Sequence, residues 1–312
     1  MKTLFKNDIV LKDYFKNSRY FADFINGILF DGNQIIDYHY LSLYDSEIST
    51  VIKSNSFIKD IELRRDIIFK YNYGRRSMLI GIENQKYQDR LMLFRCLSYD
   101  SILYQRQINN LTDKKVEKLS KVMSVVINWS EYRWNPKNDL YSYFDVLDDE
   151  KKAISNYKML TLNILDIDYH VFKEKSNYDL IKIIQLIYKF KKNPDQLKGI
   201  IIDQKLAIIV ASIVDEENDI LKKIVLKQGG KVDMCESLRE FYADGIKEGY
   251  DNGIKEERIK NTKQLFKHFY PNEDSSIIDN LSTEQCDQFF SMLLENKPLK
   301  EIMSIIKIKV AA

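Results

Sequence analysis

The stretch that most constrains the fold runs from Arg64 to Gln85, where "RRDIIFKY" and "SMLIGIENQ" are two apolar runs joined by "NYGRR". Runs of this composition, separated by a glycine and polar residues, predict an antiparallel hairpin whose turn centres on residues 73–75. Such a hairpin sets Asp66 opposite a residue near 81–83. Strand side chains alternate faces, so Glu83 and Gln85 point the same way. The interior-bound run thus ends by bringing the carboxylates of Asp66 and Glu83 close together at one end of the hairpin.

Composition narrows what such an end can do. With 312 residues, 45% hydrophobic and 30% charged, the chain suits one large soluble domain or two modest ones. Charges interrupt the N-terminal "MKTLFKNDIVLKDYFK" every few positions, and no run is long enough for a bilayer. A cytoplasmic protein with no membrane partner is expected. The three cysteines, Cys96, Cys235 and Cys286, and the three histidines, His39, His170 and His268, are scattered. They predict no disulfide framework and offer little for a thiolate cluster, a zinc site or a histidine triad. No Gly-rich phosphate loop of the Walker type occurs, which argues against an ATP-driven motor.

Around the hairpin the order is that of an α/β protein. Residues 11–30 carry Phe15, Phe21, Ile25, Ile28 and Leu29 at helical spacing, and Gly32 permits a stop. Residues 37–60 are polar. A second helix is expected from Tyr87 to about Ile108, then a buried strand over 121–129, a loop over 129–141 and a strand over 157–167. After His170 helical periodicity dominates. We therefore expect a domain over residues 1–169 and a helical region over 170–312. Gly245, Gly249 and Gly253 recur every four residues and share one helix face, which suggests a close approach to a partner or an irregular helix.

Two carboxylates in a partly buried site repel each other unless a cation neutralises them. Mg²⁺ suits such a pair, since it prefers oxygen ligands and commonly takes one or two carboxylates together with phosphate oxygens. The local charge has the sign a polyanion requires. Between residues 51 and 110 there are 11 Lys or Arg against 6 Asp or Glu. Arg64, Arg65, Arg75, Arg76, Lys86, Arg90 and Arg95 are the candidate nucleic-acid contacts. The plainer reading is that these are solvated charges flanking strands. Trp129 and Trp134 are expected to cap a loop rather than to stack on bases.

At these residues the sequence resembles a known family. Asp66, then "GIENQ", then "RLMLFRCLSYDSILYQRQI", is similar to the Rpn family of recombination-promoting nucleases and putative transposases, within the PD-(D/E)XK nuclease superfamily. The similarity extends upstream to "RYFADFINGILFDGNQIID", downstream to "VVINWSEYRWNPKNDLY", and into the tail "DGIKEGYDNGIKEE". The resemblance implies a restriction-endonuclease-like αβββαβ core with a mixed sheet, followed by a mostly helical C-terminal region. It implies that Asp66 and Glu83 ligate Mg²⁺ and that Gln85 stands where the superfamily pattern has Lys. Asp23 is the expected third acid, with Asp13 behind it, and Asn26 matches a recurrent position that anchors the site. Arg90, Arg95, Tyr99 and Gln107 match the helix after the third strand.

The expected function is a Mg²⁺-dependent DNA endonuclease of recombination-promoting or mobile-element and phage-defence type. Catalysis would involve Asp66, Glu83 and Gln85, and homodimerisation would use the helical tail. The rival is a catalytically weak or silent nucleic-acid-binding or regulatory protein. Gln offers only a neutral amide where Lys would supply charge.

Overall fold

The computed structural model describes residues 8–44, 47–54, 57–64, 66–111, 118–191, 193–215 and 219–306; for 8, 47–54, 57–64, 248 and 249 it describes the backbone. The expected helix over 11–30 is two helices, Asp8–Phe15 (α1) and Ser18–Phe30 (α2). The break falls at Asn17, whose side chain accepts hydrogen bonds from the N–H groups of Arg19 and Tyr20 and so caps α2. Helix α2 ends at Asp31 and Gly32, both with left-handed backbone, φ 51° and 80°. A side chain at Gly32 would meet the Val171 carbonyl oxygen at 2.6 Å, so that position is closed to larger residues.

Five strands build the main sheet: Leu41–Tyr44 (β1), Ile67–Tyr73 (β4), Arg76–Gln85 (β5), Lys121–Asn128 (β6) and Leu160–Asn163 (β7), in the order β1-β4-β5-β6-β7. The first two pairings are antiparallel and the last two parallel, which makes the sheet mixed. Helix Met92–Asn109 (α3) provides the crossover from β5 to β6. Read as α2, β1, β4, β5, α3 and β6, the order is the expected αβββαβ. A separate hairpin, Glu47–Ser54 (β2) with Phe57–Arg64 (β3), is inserted between β1 and β4, mostly over the run 37–60 expected to be polar.

The sheet is covered on both faces, which explains why β4 and β5 read as unbroken apolar runs rather than alternating ones. On one face Phe21 of α2 packs on Phe69 of β4, ring centroids 4.5 Å apart, and Phe15 and Phe24 lie against the fully buried Trp129. On the other face Ile68 and Leu79 pack with Tyr99 and Leu103 of α3. Fully burying each such side chain contributes about 1.5–3 kcal/mol, so the sheet is a rigid base for what its ends carry.

The chain divides into two compact units, Met1–Leu238 and Arg239–Ala312. The boundary expected near residue 170 falls inside the first unit. Helix Lys175–Lys189 (α4) packs on α2 there, and Asn177 donates both to Asp23 and to the Tyr20 carbonyl. The first unit also holds Gln204–Val214 (α5), Ile220–Gln228 (α6) and a small antiparallel pair, Ile201–Asp203 (β8) with Lys231–Asp233 (β9). Helix Met234–Phe269 (α7) begins in the first unit and ends in the second. The second unit has its own core, in which Phe266 of α7 packs with Phe289 and Leu293 of Thr283–Leu294 (α8) and Ile302 of Leu299–Ile305 (α9). Among the described residues no helix is long and apolar enough to cross a membrane.

Candidate functional site

The hairpin register decides where the two carboxylates lie. The ladder of β4 and β5 ends with Ile67 opposite Ile82, so Asp66 just before β4 and Glu83 on β5 are the next residues beyond the last pair. Both are almost fully buried, Asp66 at 8% exposure and Glu83 at 4%. They face α3, the same side as Ile68 and Leu79. Asp66 is fixed by the neighbouring strand, its Oδ2 accepting the backbone N–H of Asn84 at 2.5 Å. Asn84 points to the opposite face, where its Oδ1 accepts the indole N–H of Trp129 at 2.9 Å. The buried tryptophan therefore braces the strand segment that positions Asp66.

Glu83 meets a cation that belongs to the chain. Arg95, in the first turn of α3, donates from Nη2 to Glu83 Oε1 at 2.7 Å and from Nη1 to Asp89 Oδ2 at 2.8 Å. Asp89 also accepts the N–H of Leu91 and thereby fixes the start of the helix. Burial works against the Arg95 charge, but Glu83, Asp89 and Tyr99 outweigh it and hold the guanidinium above its ordinary pKa. Tyr99, one turn along α3, has its phenol pKa raised by burial first, then by the charge of Glu83 and, less, of Asp66. Gln85 Nε2 lies 3.4 Å from Glu83 Oε1.

The other predicted residues are dispersed. Asp23 is buried, and its two oxygens accept from the N–H of Lys173 and from Asn177 Nδ2, which ties α2 to the segment leading into α4. Asp13 is exposed and pairs with Lys16. Asn26 donates to the Ile36 carbonyl and accepts from the N–H groups of Ile35 and Ile36, so it anchors the loop after α2. Gln107 clamps both backbone groups of Ser120, at the far end of α3 from Arg95. Lys86 donates to the Ile213 carbonyl at the end of α5. Arg75 and Arg76 are exposed at the hairpin turn, the opposite end of β4 and β5 from the carboxylates. Arg90 is exposed just before α3. Arg64 ends β3 and is described as backbone only, and Arg65 lies outside the described residues.

Sequence reasoning did not find Asp89, Asn84 or Trp129 as parts of the site. A signal existed for Asp89, an acid three residues before the first residue of a helix. It also passed over a repeated tetrapeptide, Ile-Asp-Tyr-His, at 36–39 and 167–170. In each copy the Asp accepts the His backbone N–H and meets the imidazole Nδ1, at 2.8 Å in the first and 2.9 Å in the second. These two histidines are turn-forming residues on the surface.

The donor set suits a hard cation. Asp66, just before β4, and Glu83, on β5, offer carboxylate oxygens near the C-terminal end of β5 where the crossover helix begins, a usual place for ligands in α/β sheets. Among the described residues no three His, Cys, Asp or Glu side chains are grouped to hold a metal. Two carboxylates alone are a set that Mg²⁺ commonly takes together with waters and phosphate oxygens. A concavity of about 580 Å³ lies away from the two carboxylates, between α3, β6 and the segment entering β7. Its buried Asp100 accepts hydrogen bonds from Ser124 and Tyr157.

Comparison with curated proteins and with solved structures gives no match. Residues 6–219, well over half of the chain and including both carboxylates and Arg95, match the family described as "Putative transposase, YhgA-like". The chain therefore belongs to that family, the Rpn group of the PD-(D/E)XK superfamily that its sequence resembles, and its role is of the transposase and nuclease type.

Proposed function

We propose that the protein is a Mg²⁺-dependent endonuclease that hydrolyses phosphodiester bonds in DNA, with Asp66 and Glu83 as the metal ligands. The observation that supports this reading is that two buried carboxylates lie at the same end of the β4–β5 hairpin, Asp66 Oδ2 accepting the backbone N–H of Asn84, the residue after Glu83. Bound there, Mg²⁺ would polarise a phosphoryl oxygen and make an attacking water more acidic. The chain's own residues do the rest. The Asn84 N–H holds the Asp66 carboxylate in place, and the strand pairing holds Glu83. Gln85 offers an amide to the water or to the phosphate, without the charge a Lys would bring. Asp23 sits on α2, which packs on the sheet face opposite α3, and is tied there to Lys173 and Asn177, so it does not join the proposed ligand set.

Exposed Arg90, near the start of α3, and Arg75 and Arg76, at the far turn, are the proposed contacts to the DNA backbone. Recombination or defence against mobile elements and phage is the proposed setting. Supercoiled plasmid incubated with Mg²⁺ tests the reading. Nicking or linearisation that disappears with EDTA and in Glu83→Ala is expected. Wild-type protein that never cuts DNA in Mg²⁺ would remove the enzyme reading.

Gln85 favours a second reading, a nucleic-acid-binding or regulatory protein with a silent core. Loss of cleavage in Asp66→Ala with DNA binding retained separates the two, because a silent core has no cleavage to lose. We further propose that copies associate through α7, where Gly245 and Gly253 are exposed beside Ile246 and Tyr250, 75% and 70% exposed. Light scattering of the full chain and of a chain ending at Leu238 tests this, and an unchanged oligomeric state counts against it.

A further inference from the structure

We infer that Arg95 is an exchangeable counter-cation for Glu83, which it yields to a divalent cation while Asp89 retains the guanidinium. The inference rests on the metal reading above and adds to it a competition built into the chain.

The geometry sets the terms. The Glu83 side chain is 5% exposed, and Arg95 reaches its Oε1 at 2.7 Å. A buried carboxylate stripped of its partner is strongly unfavourable, so a cation is required there whether or not a metal is at hand. Arg95 supplies one. Two cations at contact distance from the same carboxylate would repel each other, and burial leaves that repulsion poorly screened. Occupation of the pair by a divalent cation therefore opposes the Arg95 contact.

Arg95 also has somewhere to remain. Its second nitrogen holds Asp89 Oδ2 at 2.8 Å, and Asp89 is 30% exposed, at the solvent side of the pair. Asp89 is itself fixed, since its Oδ1 accepts the Leu91 N–H and its carbonyl accepts the Met92 N–H. The guanidinium fork thus has an anchored end toward solvent and an inner end on the candidate metal ligand. A lysine at this position could not hold both carboxylates in the same planar geometry. Held on Asp89, the charge of Arg95 stays at the mouth of the site, where a phosphate would arrive.

Calorimetric titration with Mn²⁺ tests the exchange without reference to activity. Arg95→Gln removes the competitor and is expected to bind Mn²⁺ roughly tenfold more tightly than the wild type, the weight of one hydrogen bond to a charged group. Arg95→Lys keeps the charge but not the fork and is expected to bind a few-fold more tightly; it decides the matter if Arg95→Gln does not fold. Mn²⁺ binding no tighter than wild type in the folded variants overturns the exchange and leaves the metal reading standing. If neither wild type nor variants bind Mn²⁺, the metal reading itself fails and the exchange fails with it.

Discussion

The two ends of the β4–β5 hairpin are opposites. At one end Asp66 and Glu83 are buried, faced by α3, and held by a backbone N–H and by Arg95. At the other, Tyr73 is 53% exposed beside Tyr40, and Arg75 and Arg76 project from the turn. Seven residues of strand separate Asp66 from Tyr73, about 23 Å at the usual rise. In sequence these residues form one basic neighbourhood around an acidic pair. In space the hairpin sorts them into a dry acidic end, suited to a cation, and a wet basic end, suited to a polyanion.

The largest expected effect lies at the dry end. Glu83→Ala should lower Mg²⁺-dependent plasmid cleavage by about 10³-fold or more, the scale of several kcal/mol of charge stabilisation. DNA binding, measured by anisotropy, should persist. Next comes the brace behind the pair. Trp129→Phe removes the indole N–H from the buried Asn84 carbonyl and should cost about 1–3 kcal/mol in urea unfolding, with a several-fold loss of cleavage as Asp66 loosens. At the wet end, Arg75→Ala with Arg76→Ala should weaken duplex binding about tenfold at low salt. It should also reduce the salt slope by roughly 2, while stability changes by less than about 0.5 kcal/mol. The smallest effect belongs to Lys86→Met, which should cost about 1 kcal/mol of stability through the lost Ile213 contact and leave the salt slope unchanged. A salt slope that falls with Lys86 and not with the two arginines would reverse the assignment of the two ends.

Which parts of this were legible follows from which forces are local. The hairpin and its register were readable because turn chemistry and strand alternation fix register over some twenty residues. The inserted β2–β3 pair was hidden because "EISTVIKS" and "FIKDIELR" dilute their apolar positions with charges. The split of α1 from α2 turned on a single cap, Asn17, inside an otherwise continuous helical pattern. The unit boundary at Leu238 was not readable, because α4 belongs to the first unit through contacts of residues more than 150 apart, such as Asn177 with Asp23. Helical periodicity says nothing about such partners. The same holds for Lys86 and Gln107, whose sequence neighbourhood suggested the site and whose side chains fasten distant backbone instead.

The claim on which the rest depends is that Asp66 and Glu83 share one divalent cation. Calorimetric titration of Mg²⁺ into wild type, Asp66→Asn, Glu83→Gln and the Arg75→Ala, Arg76→Ala double variant tests it most directly. The account predicts a single site in the wild type, weakened about tenfold or more in each carboxylate variant, since each loses a charged ligand, and unchanged in the arginine double variant. Equal Mg²⁺ affinity in the wild type and both carboxylate variants would contradict it.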